Sequence, residues 1–324
     1  MRFRAVAVCL AVGVLSGAGD AAAQSAQTRY SLANGCFVLR AAEAGSAVSE
    51  PLRMKATDLG RYLLYTPDRR FLARERGPAD LPLPGSGDRV GKAAEPSEDA
   101  NWRVDEAGPG RFRIVLPAAG GKVLAVGPGG QLALVDPASA GSAALFGFDA
   151  VNGCASFPEI DPSVTGTPAR ERSPWGEVSG LLDAHMHMMA FEFLGGQAHC
   201  GRPWHPFGVA HAMVDCPDHH PNGAGAALEN VLYKEPARTH DPVGWPTFRD
   251  WPHHKSLTHE GSYYRWVERA WMGGLRVFVN LLVDNAVLCE LYPLKRNSCN
   301  EMDGVRLQAR RIRELQDYID AQSG

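Results

Sequence analysis

Two histidines separated by one residue, in Asp183-Ala-His185-Met-His187, are the side chains of this sequence best placed to do chemistry. Successive side chains of a β-strand alternate faces, so His185 and His187 project from the same side of a strand. Neutral imidazole is a good ligand for a divalent metal, zinc first among them, and two on one rigid element cost little entropy to organise. A cation held there would lower the pKa of its water toward about 7 and polarise the bond under attack, which is hydrolytic chemistry. The spacing alone is a weak signal, because all 11 histidines crowd between His185 and His259. Its position at the end of the apolar stretch beginning at Val178 is what strengthens it. Asp183, His259, Glu260, Asn280 and Asp284 are the further candidates for catalytic roles. His259 and Glu260 sit at a helix start, where the dipole favours glutamate regardless of function. Asn280 and Asp284 close a second apolar strand, at the level where barrel enzymes meet substrate.

Other chemistries find less support. There is no His-Glu-x-x-His helix, no Gly-x-Ser-x-Gly elbow and no Gly-rich phosphate loop. A two-metal phosphoesterase starting from Asp183 and His185 is an alternative, but the Gly-Asp and Gly-Asn-His motifs expected downstream do not follow. A net charge of −3 leaves no footprint for nucleic acid and no polybasic membrane patch. The expected partner is a small-molecule or peptide-like substrate.

The elements that must position these groups run strand, long loop, helix, strand, loop, helix. Tyr263, Trp266, Val267, Ala270 and Trp271 have helical spacing, and Gly273-Gly274 stops that helix. The nearly continuous apolar run from Leu275 reads as a strand buried on both faces. Asn300 caps a last helix, whose core face is expected to be Met302, Val305, Ala309, Ile312 and Ile319. This βαβα order opens a parallel α/β domain.

The stretch Asp183 to Gly208, DAHMHMMAFEFLGGQAHCGRPWHPFG, resembles the amidohydrolase superfamily of metal-dependent hydrolases, within a secreted bacterial group close to membrane-dipeptidase-like proteins. Thr258 to Asn285 fits the same pattern. The resemblance implies a TIM-like (β/α)8 barrel, His185 and His187 as first metal ligands, and attack of an activated water on an amide, ester or related bond. It also implies further ligands on later strands. A barrel typically needs about 250 residues, so residues 179–324 are expected to hold only its N-terminal portion, apparently truncated and inactive alone.

The first half is expected to be all-β. Short strands alternate with Gly/Pro turns at Cys36–Arg40, Tyr62–Tyr65, Phe71–Arg74, Trp102–Val104, Phe112–Val115, Val123–Val126 and Gln131–Val135. The segment from Gly60 matches that from Gly121 at an offset of 61, and Trp102-x-Val104-Asp105 resembles Phe146-x-Phe148-Asp149. On this repeat pattern Cys36 to Glu159 resembles a β-trefoil of the fascin or ricin-lectin type, with Glu75 to Ala100 as an insertion. Such domains often bind glycans. No sugar-binding set stands out here, so a purely structural or docking role is expected, with an exported glycan-binding or docking module on a degenerate barrel as the non-enzymatic alternative.

Met1-Arg-Phe-Arg, the apolar run Ala5 to Ala18 and Ala21-Ala22-Ala23 make a cleavable signal peptide over residues 1–23, too short to be a membrane anchor. The protein is therefore expected in the periplasm or medium. Residues 24–159 form the trefoil-like domain and 160–178 a Pro-rich linker. In an oxidising compartment the cysteines beyond Cys9 are expected as disulfides, grouped as Cys36 with Cys154, Cys200 with Cys216 and Cys289 with Cys299, although connectivity is not fixed by sequence.

Overall fold

The computed structural model describes residues 27–76, 89–168, 172–213, 244–248, 251 and 258–323. The expected signal peptide and Cys216 lie outside them, as do the loop histidines His219, His220, His253 and His254 and the stretch Ala224–Tyr233, whose sequence alone predicts a short helix within the long loop.

Ten strands build the first unit: β1 (Cys36–Ala41), β2 (Leu52–Asp58), β3 (Arg61–Tyr65), β4 (Phe71–Arg74), β5 (Val90–Ala93), β6 (Asn101–Glu106), β7 (Phe112–Leu116), β8 (Lys122–Val126), β9 (Leu132–Val135) and β10 (Phe146–Ala150). Antiparallel pairing runs β1·β2, β2·β3, β3·β6, β6·β7, β7·β10 and β10·β1. That path returns to its start, so six strands close a barrel and leave no free edge among themselves. β4·β5 and β8·β9 are hairpins hung from it. Where threefold repetition calls for a third hairpin between β1 and β2, one bridge remains, Arg40 to Ala47. This is a trefoil-type domain.

Its core follows from strand alternation. Trp102 and Val104 of β6 point inward and are fully buried, and the indole N–H of Trp102 donates to Leu72 O at 2.8 Å, satisfying its polar atom. Phe148 meets Phe37 and Phe112 edge-on at 5.9 and 5.3 Å, joining β10, β1 and β7.

Two sequence expectations change here. The stretch Glu75 to Ala100 is not an insertion outside the trefoil, because β5 lies in it and pairs with β4. The offset of 61 is not the fold's repeat either, since it lays barrel strand β3 on hairpin strand β8. The equivalent strands β3 and β7 start at 61 and 112, 51 apart, and β6 and β10 at 101 and 146, 45 apart. Any Gly-strand-turn-strand unit with an apolar pair matches any other, so local pattern could not tell barrel from cap.

In the second part β11 (Leu181–Met186) and β12 (Leu275–Asn280) pair in parallel, joined through helix α1 (Tyr264–Met272) and followed by α2 (Ala286–Leu291) and α3 (Glu301–Ser323). The parallel βαβ arrangement stands, but a closed α/β barrel is not formed by the described residues. β12 is not buried on both faces: Val277 and Val279 are 42% and 43% exposed, and on β11 Leu181 and Leu182 are 65% and 64% exposed. The buried stripe of α3 is Gly304, Gln308, Leu315, Tyr318 and Ala321, whereas Met302 and Ile319 face out. Gln308 is tolerated inside because its amide donates to Val283 O and accepts from Val283 N, as a neighbouring strand would. No described helix is long and apolar enough to cross a membrane.

Helix α3 ties the two parts together. Its residue Ala321 belongs to the trefoil core. Lys55 of β2, buried, donates to Tyr318 Oη at 3.1 Å and to the Gln322 side chain. Beside it Glu159 accepts from Tyr263 Oη at 2.8 Å and Tyr264 Oη at 3.1 Å. The segment expected as a linker lies along α1, with Ile160 O accepting from Arg265 Nε at 3.0 Å. Cys36–Cys154 and Cys289–Cys299 are disulfides, and Cys200 is disulfide-bonded as well.

Candidate metal centre

His185 is the next-to-last residue of β11 and His187 follows its end. The strand places both rings on one side, and their Nε2 atoms approach to 2.9 Å. Two imidazole ligands on one tetrahedral zinc, with bonds of about 2.0–2.1 Å, would stand about 3.3 Å apart. The observed separation is therefore a few tenths of an ångström shorter than two ligands of one shared zinc would have.

The second nitrogen of His187 is also fixed. Nδ1 lies 3.2 Å from Leu281 O, and because a carbonyl only accepts, Nδ1 carries the proton and Nε2 keeps its lone pair. Metal-ligating histidines commonly use their other ring nitrogen this way. The 2.9 Å contact then makes His185 Nε2 the donor to His187 Nε2 when no cation lies between them. Leu281 N donates to Met186 O at 2.8 Å, so the end of β12 locks the end of β11 from its backbone.

The other candidates are brought near the strand ends but do not aim at the pair. Asp183 Oδ1 accepts from His185 N at 3.0 Å, turning along its own chain. Asn280 Oδ1 accepts from Met188 N at 2.9 Å, and its buried Nδ2 has no partner among the described residues. Asp284 Oδ1 accepts from Asn285 N at 2.8 Å, while Oδ2 faces Gly304, where a Cβ would fall 1.8 Å away. Among the described residues no group of three or more His, Cys, Asp or Glu could hold a metal ion.

His259 and Glu260 are buried in a separate arrangement. Cys200 N donates to Thr258 O at 2.6 Å and Glu260 N to Cys200 O at 2.8 Å, and the His259 ring meets Trp251 at 4.9 Å. Burial pushes the Glu260 carboxyl up to about 8, partly opposed by the backbone N–H groups of Ser262 and Gly261. These two residues build the Cys200 region.

Sequence reasoning missed the group that surrounds Glu192. This carboxylate lies in the short turn Ala190–Gly196 and accepts from Arg296, Asn297 and Arg311. Burial raises its pKa, but Arg296, then Arg311 and Asn297, outweigh that and leave it lowered. The available signal was a lone acid inside the apolar run Met188-Met-Ala-Phe-Glu-Phe-Leu194.

No protein-family profile matches the chain, and no curated protein does. Among solved structures it is similar to a designed threefold-symmetric protein, ThreeFoil, at 18% identity over 36% of this chain and 99% of that one, with a TM-score of 0.27. It is similar to the BEL β-trefoil at 17% identity over 37% of this chain and 94% of that one, with a TM-score of 0.28. Cry35Ab1 matches at 13% identity over 46% of this chain and 43% of that one, with a TM-score of 0.30. The trefoil-type assignment rests on the six-strand ring and its hairpins in the chain itself.

Proposed function

We propose that this protein is a metal-dependent hydrolase in which His185 and His187 hold a divalent cation, zinc by preference, and a water attacks an amide, ester or related bond. One observation carries the reading: two Nε2 atoms meet at 2.9 Å while the Nδ1 of His187 is tied to Leu281 O. A bound cation would supply Lewis acidity and a water of lowered pKa. The chain's own residues supply the preorganisation. Leu281 O fixes the tautomer of His187, Asp183 holds the backbone of His185, and Asn280 pins Met188 so that the strand end cannot swing. The trefoil-type domain is assigned a docking role, as the seat of α3.

Zinc titration of the full chain, with His185→Ala and His187→Ala beside it, tests this reading. Saturable binding, weak because two protein ligands are present among the described residues, should be lost in both variants. Turnover of a generic ester or dipeptide should follow the bound metal. Zinc binding that survives both substitutions would refute the assignment.

A further inference from the structure

We propose that Glu192 is a positioning residue for the metal pair, holding the turn after His187 in the one geometry that keeps the two Nε2 atoms together. This inference rests on the metal-site reading above.

The connection is short. Ala190 N donates to His187 O at 3.0 Å and Glu192 N to Met189 O at 3.1 Å, so the turn Ala190–Gly196 starts on the ligand itself. Met188, Met189 and Phe191 between them are buried, which leaves little slack. Asn280 and Leu281 hold this strand end from the β12 side alone.

The other side is held through Glu192. It is 1% exposed, and both oxygens are filled: Oε2 accepts from Arg296 Nη2 at 2.8 Å and Asn297 Nδ2 at 2.6 Å, and Oε1 accepts from Arg311 Nε at 2.9 Å. The donors come from two bodies. Arg296 and Asn297 belong to the loop closed by Cys289–Cys299, and Arg311 belongs to α3. The same loop grips the turn's backbone, because Arg296 N and Asn297 N both donate to Gly195 O, at 2.8 and 3.0 Å.

The turn is shaped to receive these donors. A Cβ on Gly196 would stand 2.5 Å from Asn297 Nδ2 and 2.7 Å from Arg296 Nε, so glycine is needed for the approach. Leu194, Gly195 and Gly196 have φ of 50°, 79° and 77°. A leucine persists in the left-handed region only where its surroundings over-determine it. A buried ion pair is weak evidence of stabilisation, since apolar residues of equal volume often serve as well. Its use in fixing one geometry accounts for its place five residues from a ligand.

The test uses the full chain with Glu192→Gln and, as the milder variant, Asn297→Ala. Zinc affinity is measured by competition, and the His185 and His187 ring nitrogens are followed by NMR without metal. Outer-shell substitutions typically cost 10–100-fold in metal affinity. We expect a loss of about tenfold or more in variants whose circular dichroism matches the parent, with shifted ring-nitrogen resonances. If Glu192→Gln does not fold, Asn297→Ala decides. Parental affinity and unmoved resonances in a folded variant overturn the inference alone. Zinc binding that persists without His185 and His187 overturns the metal reading and this inference with it.

Discussion

Replacing Lys55 by methionine keeps most of the unbranched side chain, one heavy atom shorter, and removes its charge at the junction of the trefoil and α3. Burial pulls the Lys55 amine from 10.5 down to about 8, with Glu159 opposing and Arg265 reinforcing the shift. Because the folded state gives up its proton more readily than the unfolded chain, the penalty is fully present below pH 8. It is relieved as pH rises from 8 to 10.5. At about 1.4 kcal/mol per pKa unit, the whole penalty is about 3 kcal/mol. Integrating the two titrations, about 2 kcal/mol of it is gone by pH 9.5. Urea unfolding of parent and Lys55→Met at pH 7 and pH 9.5 measures this as a difference of differences. The lost hydrogen bonds to Tyr318 and Gln322 shift the variant by a nearly constant amount, whereas the parent should gain about 2 kcal/mol on it across that interval. Parallel pH profiles for the two proteins would refute the reasoning.

The Glu260 carboxyl, raised to about 8 by burial, works in the opposite sense. The folded state holds its proton longer than the unfolded chain, so stability falls as pH rises from 4.5 to 8, by on the order of 4 kcal/mol. Glu260→Gln should abolish that fall in thermal unfolding at pH 5 and pH 8. Removing Cys36–Cys154 with paired alanines should cost about 5 kcal/mol by the loop-entropy estimate, since it closes a separation of 118 residues. A chemical-denaturation midpoint unchanged from the parent would count against that bridge. Gly304→Ala should destabilise by about 1–3 kcal/mol despite better helix propensity, because its Cβ meets Asp284 Oδ2, and pairing it with Asp284→Ala should recover much of the loss.

What could be seen beforehand was whatever repeats locally. Period-two spacing put His185 and His187 on one face, and Gly/Pro punctuation marked most trefoil strands. β2 was missed because Arg53, Lys55 and Asp58 disguise a strand whose Lys55 is buried by a helix far along the chain. The face of α3 was misjudged by choosing its most apolar stripe, when Gly304 is selected by Asp284 and Gln308 by the backbone of Val283. The donors to Glu192 lie 104, 105 and 119 residues away, a distance no local pattern encodes. Chance similarity between hairpins gave a false repeat length, though not a false fold.

The lysine in β2 also bears on the order of assembly during synthesis. Its partner Tyr318 is 263 residues downstream, and Asn34 waits for Gln322, 288 residues away. At 5–20 residues per second, roughly 13 to 50 seconds separate the appearance of Lys55 from that of its cover. A leucine there would leave a sticky patch on a nascent sheet for that whole interval. An ammonium group stays hydrated until the helix arrives, so the same residue that costs stability in the finished protein guards the unfinished one.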